Sequence, residues 1–337
     1  MATAVDTEKT VEGLEQARSI LKETAEYGKE LAPKFDKIYF VACGAPNRLM
    51  LSMEYWLQQY APSFEIRRYF PAEFMAQNPP RMDARTLVIL GSKSGTTKET
   101  VAAAKFVKDL PCKSVGFTMT EELPLAKALD HTFLLGDTDE THTGMFMALQ
   151  AFTGGLMAGK DGWPHLDKMV RSLEAMPEAM GATHLANDQR AKEEARIYKD
   201  DRIMYHVASG PMFNTAYVFG VCILMEMQWM HSFPFEAAEF FHGPFEIVDE
   251  NTPLVLMLGE DASRPLMERV VKFCDKYTER VMVYDSKDFE MEGIDPEIRQ
   301  FVAPLIIEAA LYRFATRLSV WHNHDLDTRR YMWKTEY

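Results

Sequence analysis

The sequence predicts an α/β protein in which parallel sheets are covered by helices on both faces. Two apolar segments, 37–43 and 86–91, run into glycine-containing loops and then into helical patterns. Two shorter segments, SVGFTMT (114–120) and HTFLLGD (131–137), have the composition of further strands. Strands that alternate with helices form parallel sheets, because each crossover connection places a helix over a sheet face.

The plan of strand, glycine loop and helix occurs again in the second half of the chain. Segment 201–220 resembles segment 36–55, with a shared Val-Ala-x-Gly, and segment 251–273 resembles segment 86–107. The offset is about 165 residues in both cases, as expected of an internal repeat. Any two βα units look somewhat alike. Because the order of two separate blocks is preserved, the sequence favours a duplication.

These patterns divide the chain into five regions. Apolar residues at helical spacing before Pro33 predict one amphipathic helix over 9–34, and similar spacing after residue 160 predicts linker helices. The predicted regions are an N-terminal helix (1–35), a first α/β domain (36–165), linker helices (166–200), a second α/β domain (201–320) and a C-terminal tail (321–337).

The composition of the 337-residue chain indicates a soluble protein without a basic surface. Its net charge of −13 argues against nucleic-acid and anionic membrane partners, which need basic patches. The four cysteines are far apart, the N-terminus lacks the apolar core of a signal peptide, and no apolar stretch approaches the length of a membrane span. We therefore expect a reduced, cytoplasmic protein that binds neither nucleic acid nor membrane.

A loop rich in hydroxyl groups, GSKSGTTKET (91–100), follows the second predicted strand and opens a helix. Four serines and threonines surround Gly95 within residues 92–97. Hydroxyls and free backbone N–H groups at a helix start suit a phosphate dianion. A helix cap is the simpler explanation of Ser or Thr at this position, but one hydroxyl would suffice for a cap. The repeated block has GEDASRP (259–265) instead, so the first loop is the predicted phosphate site.

Glu226 stands alone in the apolar segment VFGVCILMEMQWM (218–230). A buried, unpaired carboxylate is costly or has a raised pKa. Glu226 therefore lies either at the edge of a packed face or in a site that uses it for chemistry.

Six motifs along the chain are distinctive when taken together. They are ACGAPN (42–47), GSKSGTTKET (91–100), VASGPMFN (207–214), MEMQWMHS (225–232), EFFHGPFEI (239–247) and TRRYMWKTEY (328–337). In this order they resemble the sugar isomerase (SIS) domain family, whose members carry two related α/β domains of flavodoxin-like, three-layer architecture. Within that family, the sequence is most similar to fructosamine 6-phosphate deglycases, in particular those that act on 6-phosphofructose-aspartate.

The resemblance implies a set of site residues. Glu226 and His242 have the spacing of the family's catalytic carboxylate and histidine. Glu239 would support the histidine loop, and the tail would close the site with Lys334 near the sugar. The family's histidine loop reaches into a neighbouring subunit, which implies a homodimer with shared sites, and the family needs neither metal nor cofactor. The sugar phosphate would bind at Ser92, Lys93, Ser94 and Thr97, flanked by Gly44 and Ala45.

The implied activity is hydrolysis of a phosphorylated Amadori product, with 6-phosphofructose-aspartate as the expected substrate. A fructoselysine or glucoselysine 6-phosphate deglycase and a phosphosugar aldose–ketose isomerase are the enzymatic alternatives. A phosphosugar sensor without activity is the alternative from another class, although such regulators normally carry a DNA-binding domain.

Two features near the C-terminus have less specific interpretations. His322 and His324 in HNHD lack further residues at metal-ligand spacing, so we expect them to face solvent. Three aromatic residues among the last seven predict a docked tail and not a frayed end. They are Tyr331, Trp333 and Tyr337.

Overall fold

A computed structural model describes residues 4–336, which form two parallel β-sheets flanked by helices. The first sheet has the strand order β2-β1-β3-β4-β5 and the second has the order β7-β6-β8-β9. The strands are β1 (Lys37–Ala42), β2 (Glu65–Tyr69), β3 (Thr86–Gly91), β4 (Lys113–Thr118), β5 (His131–Leu134), β6 (Ile203–Ala208), β7 (His231–Glu236), β8 (Leu254–Leu258) and β9 (Val281–Asp285).

The helices connect these strands in the alternating pattern that the sequence predicts. They are α1 (Thr7–Ser19), α2 (Leu21–Leu31), α3 (Gly44–Tyr60), α4 (Pro71–Gln77), α5 (Lys98–Lys108), α6 (Pro124–Ala128), α7 (Thr141–Asp161), α8 (Leu166–Glu174), α9 (Met176–Tyr198), α10 (Phe213–Tyr217), α11 (Glu226–Gln228), α12 (Ala237–Phe240), α13 (Arg264–Tyr277) and α14 (Arg299–His322). A π-helical segment, Val218–Met225, joins α10 to α11.

The chain forms two compact units, each built on one sheet. The first unit comprises residues 8–177 and 292–298. Within the described residues, the second unit comprises 4–7, 178–291 and 299–336. The first four strands of the first unit and the four of the second have the same spatial order, as the internal duplication predicts, and the order 2-1-3-4 is that of flavodoxin-like proteins.

Each sheet is packed between two layers of helices. In the second unit, Val255 and Met257 of β8 point into a cluster with side chains of α9 and α14. The intervening residues Leu254 and Leu256 point into a second cluster with side chains of α12 and α13. Successive residues of a strand face opposite sides of the sheet. An uninterrupted apolar strand is therefore covered on both faces.

The N-terminal region differs from the sequence-based prediction of a single helix over 9–34. The chain forms α1 and α2, separated at Ile20, followed by a short 3-10 turn, Ala32–Lys34. The hydroxyl of Ser19 donates to the carbonyl of Gln16 at 2.7 Å. A serine that bonds to its own preceding turn competes with the helical ladder and often marks a bend, which accounts for the break.

Three edge strands, β2, β7 and β9, have no counterpart in the sequence-based prediction, and for the first two the composition explains the omission. The segment Glu65–Tyr69 is EIRRY, which lacks a continuous apolar pattern, and β7 contains Pro234. Both lie at the ends of their sheets, where one side of the backbone needs no partner and proline is tolerated.

Within residues 4–336, no helix is both long enough and apolar enough to cross a lipid bilayer.

Candidate active site

The loop Ser92–Thr97 leaves the carboxyl end of β3, beside the loop that leaves β1. β1 and β3 are neighbours, with Ala42 paired to Gly91 at their ends. β2 lies on the other side of β1, so the chain changes direction in the sheet between β1 and β3. Ligands of open α/β sheets bind at such switch points, outside the carboxyl ends of the strands. The structure thus brings Gly44 and Ala45 to the same edge as the hydroxyl-rich loop.

The loop after β1 is fixed by Asn47, which is fully buried in the first turn of α3. Its amide nitrogen donates to the carbonyls of Ala42 and Tyr69, each at 3.0 Å. Gly44 has a φ of +56°, and a Cβ there would meet no atom within 4 Å. The backbone at Gly44 is therefore open to an approaching ligand.

The hydroxyl groups of the Ser92–Thr97 loop bond mainly to one another. The Oγ atom of Ser92 lies 2.9 Å from Oγ1 of Thr97 and accepts the N–H of Gly95 at 3.1 Å. The Oγ atom of Ser94 accepts from Thr96 Oγ1 at 3.0 Å. Gly95 has a φ of +60°, and a Cβ there would lie 2.7 Å from side chains of Leu123 and Thr118. The turn therefore requires glycine.

The helix-cap explanation of this loop does not agree with the structure. Thr97 is the N-cap residue of α5, and its side chain makes no capping hydrogen bond. Its hydroxyl points to Ser92 instead. The first turn of α5 therefore offers its positive dipole end without a capping hydroxyl, the arrangement that binds phosphate. The Lys93 side chain is exposed beside the loop, and its ammonium reaches the carbonyl of Asp139 at 3.4 Å.

The equivalent loop in the second unit is occupied by a carboxylate from the protein itself. The buried Asp261 accepts the N–H of Ser263 at 2.9 Å and the hydroxyl of Ser263 at 2.6 Å. That hydroxyl lies 2.9 Å from Oγ of Ser209, at the end of β6. We refer to Ser209, Asp261 and Ser263 as the carboxylate-filled loop. An anion is already present there, so the loop offers no place for a phosphate.

Glu226 begins the last turn of the long helical segment that starts at Phe213. The preceding residues Val218–Met225 are π-helical. This backbone form is rare in proteins overall, and where it occurs it is often found at functional sites. The Glu226 side chain is 26% exposed, and its Oε1 accepts from Nε of Arg329 at 2.9 Å. Burial raises the pKa of Glu226, while the charge and hydrogen bond of Arg329 oppose that rise.

Arg329 has no role in the sequence-based prediction, although it is the direct partner of Glu226. Its side chain is 6% exposed, and it also donates to the carbonyl of Leu326 at 2.6 Å. It lies 103 residues from Glu226 in the chain. Two adjacent arginines in a C-terminal tail carry no signal for that pairing in one sequence, because cationic tails are common and solvated.

The residues after Glu226 are held by the last residue of α14 and the segment that follows it. The Nδ1 atom of His322 lies 3.0 Å from Oε1 of Gln228, and its Nε2 lies 2.8 Å from the carbonyl of Lys199. The His324 ring packs against Trp229, with ring centroids 4.3 Å apart. The expectation that both histidines face solvent is therefore wrong for His322, whose two nitrogens are bonded within the protein. Within residues 4–336, no cluster of side chains suits a metal ion.

The tail contacts Glu226, but through different residues from those that the sequence suggested. Tyr331 is 66% exposed and Trp333 is 79% exposed, so the described aromatic residues do not anchor it; Tyr337 lies outside the described residues. Arg329 makes the contact instead. Lys334 is exposed, and its ammonium donates to the carbonyl of Arg329 at 2.5 Å.

Glu239 and His242 follow the carboxyl end of β7, whereas Glu226 precedes its amino end. β7 begins two residues after Trp229 and ends before α12, which leads to His242. Its six residues span about 20 Å. His242 is exposed on the loop before Gly243, and its backbone N–H donates to the carbonyl of Glu239 at 2.9 Å. One chain therefore does not bring Glu226 and His242 together within the second unit.

Comparisons with known proteins identify a family of α/β proteins to which the chain is similar. A model of the SIS domain matches residues 31–158. A fructosamine deglycase of Bacillus subtilis (strain 168) is 35% identical over 308 residues, which are 90% of this chain and 93% of the relative. The chain belongs to the SIS domain family.

Other similar proteins are named for different activities. An agropine synthesis conjugase of Rhizobium rhizogenes is 33% identical over 89% of this chain and 86% of the relative. A fructoselysine 6-phosphate deglycase of Escherichia coli O157:H7 is 28% identical over 88% and 85%. A crystal structure from Bacillus subtilis, provisionally described as a phosphosugar isomerase, has a TM-score of 0.88 and 32% identity, covering 96% of this chain and all of that one.

Proposed function

We propose that the protein is a fructosamine 6-phosphate deglycase, an enzyme that hydrolyses a phosphorylated Amadori product to glucose 6-phosphate and a free amino acid. The observation that carries the proposal is the half-buried Glu226, whose pKa is raised by burial and which is paired with Arg329. A carboxylate tuned in this way suits proton transfer near neutral pH. Two of the similar proteins are named deglycases. Our preferred substrate is 6-phosphofructose-aspartate.

The reaction needs a base at C1 of the open-chain substrate. Glu226 removes a C1 proton next to the C2 carbonyl, which leaves an enaminol. A proton is then delivered to C2 while the nitrogen lone pair forms a C1–N double bond. One water molecule adds to C1 of this imine, and the C1–N bond breaks to release the amine and the aldehyde of glucose 6-phosphate. His242 opens the sugar ring and transfers protons to and from the sugar oxygen atoms.

The phosphate of the substrate binds at the switch point of the first unit. Ser92, Ser94 and Thr97 provide hydroxyls, Lys93 provides charge, and the start of α5 provides backbone N–H groups. Gly44 and Ala45 lie beside them on the neighbouring strand end. Binding energy from a group remote from the reacting carbon can be used to position a substrate for proton transfer.

The active sites are shared between two subunits of a homodimer. The support for this is the separation of Glu226 and His242 by the length of β7, which is too long for both to touch one substrate carbon. A two-fold axis between identical chains lets the exposed His242 loop of one subunit meet the Glu226 of the other. Glu239 accepts the backbone N–H of His242 and holds that loop.

The reverse reaction is a second candidate function, because one relative is named a conjugase. The same proton transfers run in both directions, and the balance between condensation and hydrolysis depends on the concentrations of the amine and the sugar. An aldose–ketose isomerase would use the same base at C1, but two similar proteins are named a fructosamine deglycase and a conjugase, and neither is named an isomerase. All four cysteines are free thiols, which supports a cytoplasmic location.

Glucose 6-phosphate release is the measurement that tests the function. The purified protein is incubated with 6-phosphofructose-aspartate, with 6-phosphofructose joined to the side chain of lysine, and with unphosphorylated fructose-aspartate. We expect glucose 6-phosphate from the first conjugate and little or no free glucose or aspartate from the third, because the Ser92–Thr97 loop would have no phosphate to bind. If neither phosphorylated conjugate releases glucose 6-phosphate, the deglycase proposal is wrong.

Replacing Arg329 by methionine should move the acid limb of the pH–rate profile to higher pH. Glu226 acts as a base only when ionised, so activity rises as pH passes upward through its pKa. Arg329 opposes the effect of burial on that pKa. Without its charge, burial acts alone and the pKa rises further. The measurement is kcat/KM against pH for both proteins, and Arg329→Lys should restore part of the difference. An unchanged acid limb would contradict the pairing.

A further inference from the structure

Trp229 has a backbone conformation that its side chain makes unfavourable. Its φ is +54°, and it ends α11 in the left-handed region. The N–H of Met230 donates to the carbonyl of Leu224 at 3.1 Å, the bond that closes a helix around a left-handed residue. Glycine usually occupies this position because other residues are strained there. The indole at this position therefore needs an explanation other than helix termination.

The indole of Trp229 lies beneath the guanidinium of Arg330, which has no hydrogen-bond or ion-pair partner within the described part of the chain. The guanidinium carbon of Arg330 lies 4.2 Å from the ring centroid of Trp229. The Arg330 side chain is exposed and makes no hydrogen bond or ion pair with the described residues 4–336. The other two cations at the end of the tail, Arg329 and Lys334, are both engaged by oxygen atoms of the second unit.

A guanidinium stacked on an aromatic ring is prepared to bind a carboxylate. Stacking occupies the face of the cation and limits its rotation, while the N–H groups stay in the plane and point outward. Two parallel hydrogen bonds to a carboxylate then form with little further loss of freedom.

Arg330 is placed beside the proposed base by its neighbour in the chain. Arg329 bonds Glu226, and Arg330 stacks on Trp229, three residues after Glu226. In an Amadori product formed at an α-amino group, only the nitrogen and one carbon separate C1 from the carboxylate. A substrate whose C1 lies at Glu226 therefore brings that carboxylate close to the tail. A lysine joined through its side-chain nitrogen has its carboxylate at the far end of four methylene groups.

We propose that Trp229 and Arg330 form a subsite for the α-carboxylate of the amino acid, which selects conjugates joined through the α-amino group over those joined through the lysine side chain. The subsite rests on the proposed deglycase function, because it takes its meaning from a substrate with C1 at Glu226. In this proposal, the tail recognises the amino acid of the substrate. The phosphate is recognised by the first unit.

The test compares three 6-phosphofructose conjugates in the full-length protein and in Arg330→Gln. The conjugates carry aspartate, β-alanine, which is aspartate without its α-carboxylate, and lysine joined through its side chain. With aspartate, Arg330→Gln should lower kcat/KM about 10- to 100-fold, mainly through KM, the loss typical of a hydrogen bond to a charged group. With β-alanine and lysine, the variant and the original protein should have equal kcat/KM.

Two further variants separate the subsite from a structural role of Arg330. Arg330→Lys retains the charge and should recover part of the lost kcat/KM for aspartate. Arg196→Gln removes an exposed arginine of α9 that pairs with Glu193 and should change nothing. The acid limb of the pH profile, which depends on Arg329, should be the same in Arg330→Gln as in the original protein. A displaced tail would move that limb, and this outcome would overturn the subsite.

The outcomes also distinguish the subsite from the activity on which it rests. No glucose 6-phosphate from any conjugate would refute the deglycase function itself. Release from the lysine conjugate at a kcat/KM equal to or above that for aspartate would refute the subsite and leave the deglycase function standing. An equal loss for all three conjugates in Arg330→Gln would also refute it, since the α-carboxylate would then make no difference.

Discussion

Turnover of 6-phosphofructose-aspartate should fall about 10²- to 10⁴-fold when Glu226 is replaced by glutamine, the range expected for the loss of a general base. Glutamine has the same shape, and its oxygen can still accept the hydrogen bond that Arg329 donates to Glu226. It cannot take a proton from C1. Substrate binding should change little, because in our proposal the phosphate binds at the Ser92–Thr97 loop and not at Glu226. The measurements are glucose 6-phosphate release and the Kd of the substrate by calorimetry.

A matched control for this variant is available in the same unit. Glu250 is exposed, and Glu250→Gln should leave both kcat and Kd unchanged. A near-normal kcat in Glu226→Gln would end the role of Glu226 as the base. A large loss of binding with unchanged kcat would assign it to substrate binding instead.

Mixed dimers should recover activity that neither parent variant possesses. Glu226→Gln and His242→Asn are each expected to be nearly inactive. When subunits of both kinds are combined at equal amounts, half of the dimers contain one of each. In such a dimer, one site combines the intact Glu226 with the intact His242, and the other site contains both substitutions. The mixture should therefore reach about a quarter of the original activity, if the site lies across a two-fold axis.

The physical reason for this expectation is the position of β7. Glu226 precedes the strand, His242 follows it, and about 20 Å of backbone lies between them. If both residues acted within one chain, the mixture would stay as inactive as its parents. Sedimentation should give a dimer for the original protein and for both variants, which ensures that the comparison is made between equal assemblies.

The repeated fold was predictable because its main strands are almost continuously apolar. β1 and β3, with the Ser92–Thr97 loop, follow directly from composition and from the glycines that end each strand. The second copy followed from its similarity to the first. The edge strands β2 and β7 were missed because an edge position tolerates charged residues and proline, and these remove the pattern by which a strand is recognised.

The candidate site was predictable where a local motif contains the residue. Glu226 and His242 each lie in such a motif, and the apolar neighbours of Glu226 correctly indicated that burial raises its pKa. Arg329 was not predictable, because its pairing with Glu226 depends on where the tail lies after more than a hundred intervening residues have folded. The same holds for Arg330 and Trp229, whose contact joins the tail to the end of a helix.

The carboxylate-filled loop has a consequence for how many ligands one chain can hold. Two copies of an α/β repeat would ordinarily be expected to give two sugar-phosphate receptors per polypeptide. In the second unit, the carboxylate of Asp261 takes the hydrogen bonds of Ser263 that an incoming anion would need. We therefore expect one phosphosugar to bind per polypeptide, at the proposed site in the first unit. In our proposal, the second unit supplies the base, the histidine loop and the tail instead.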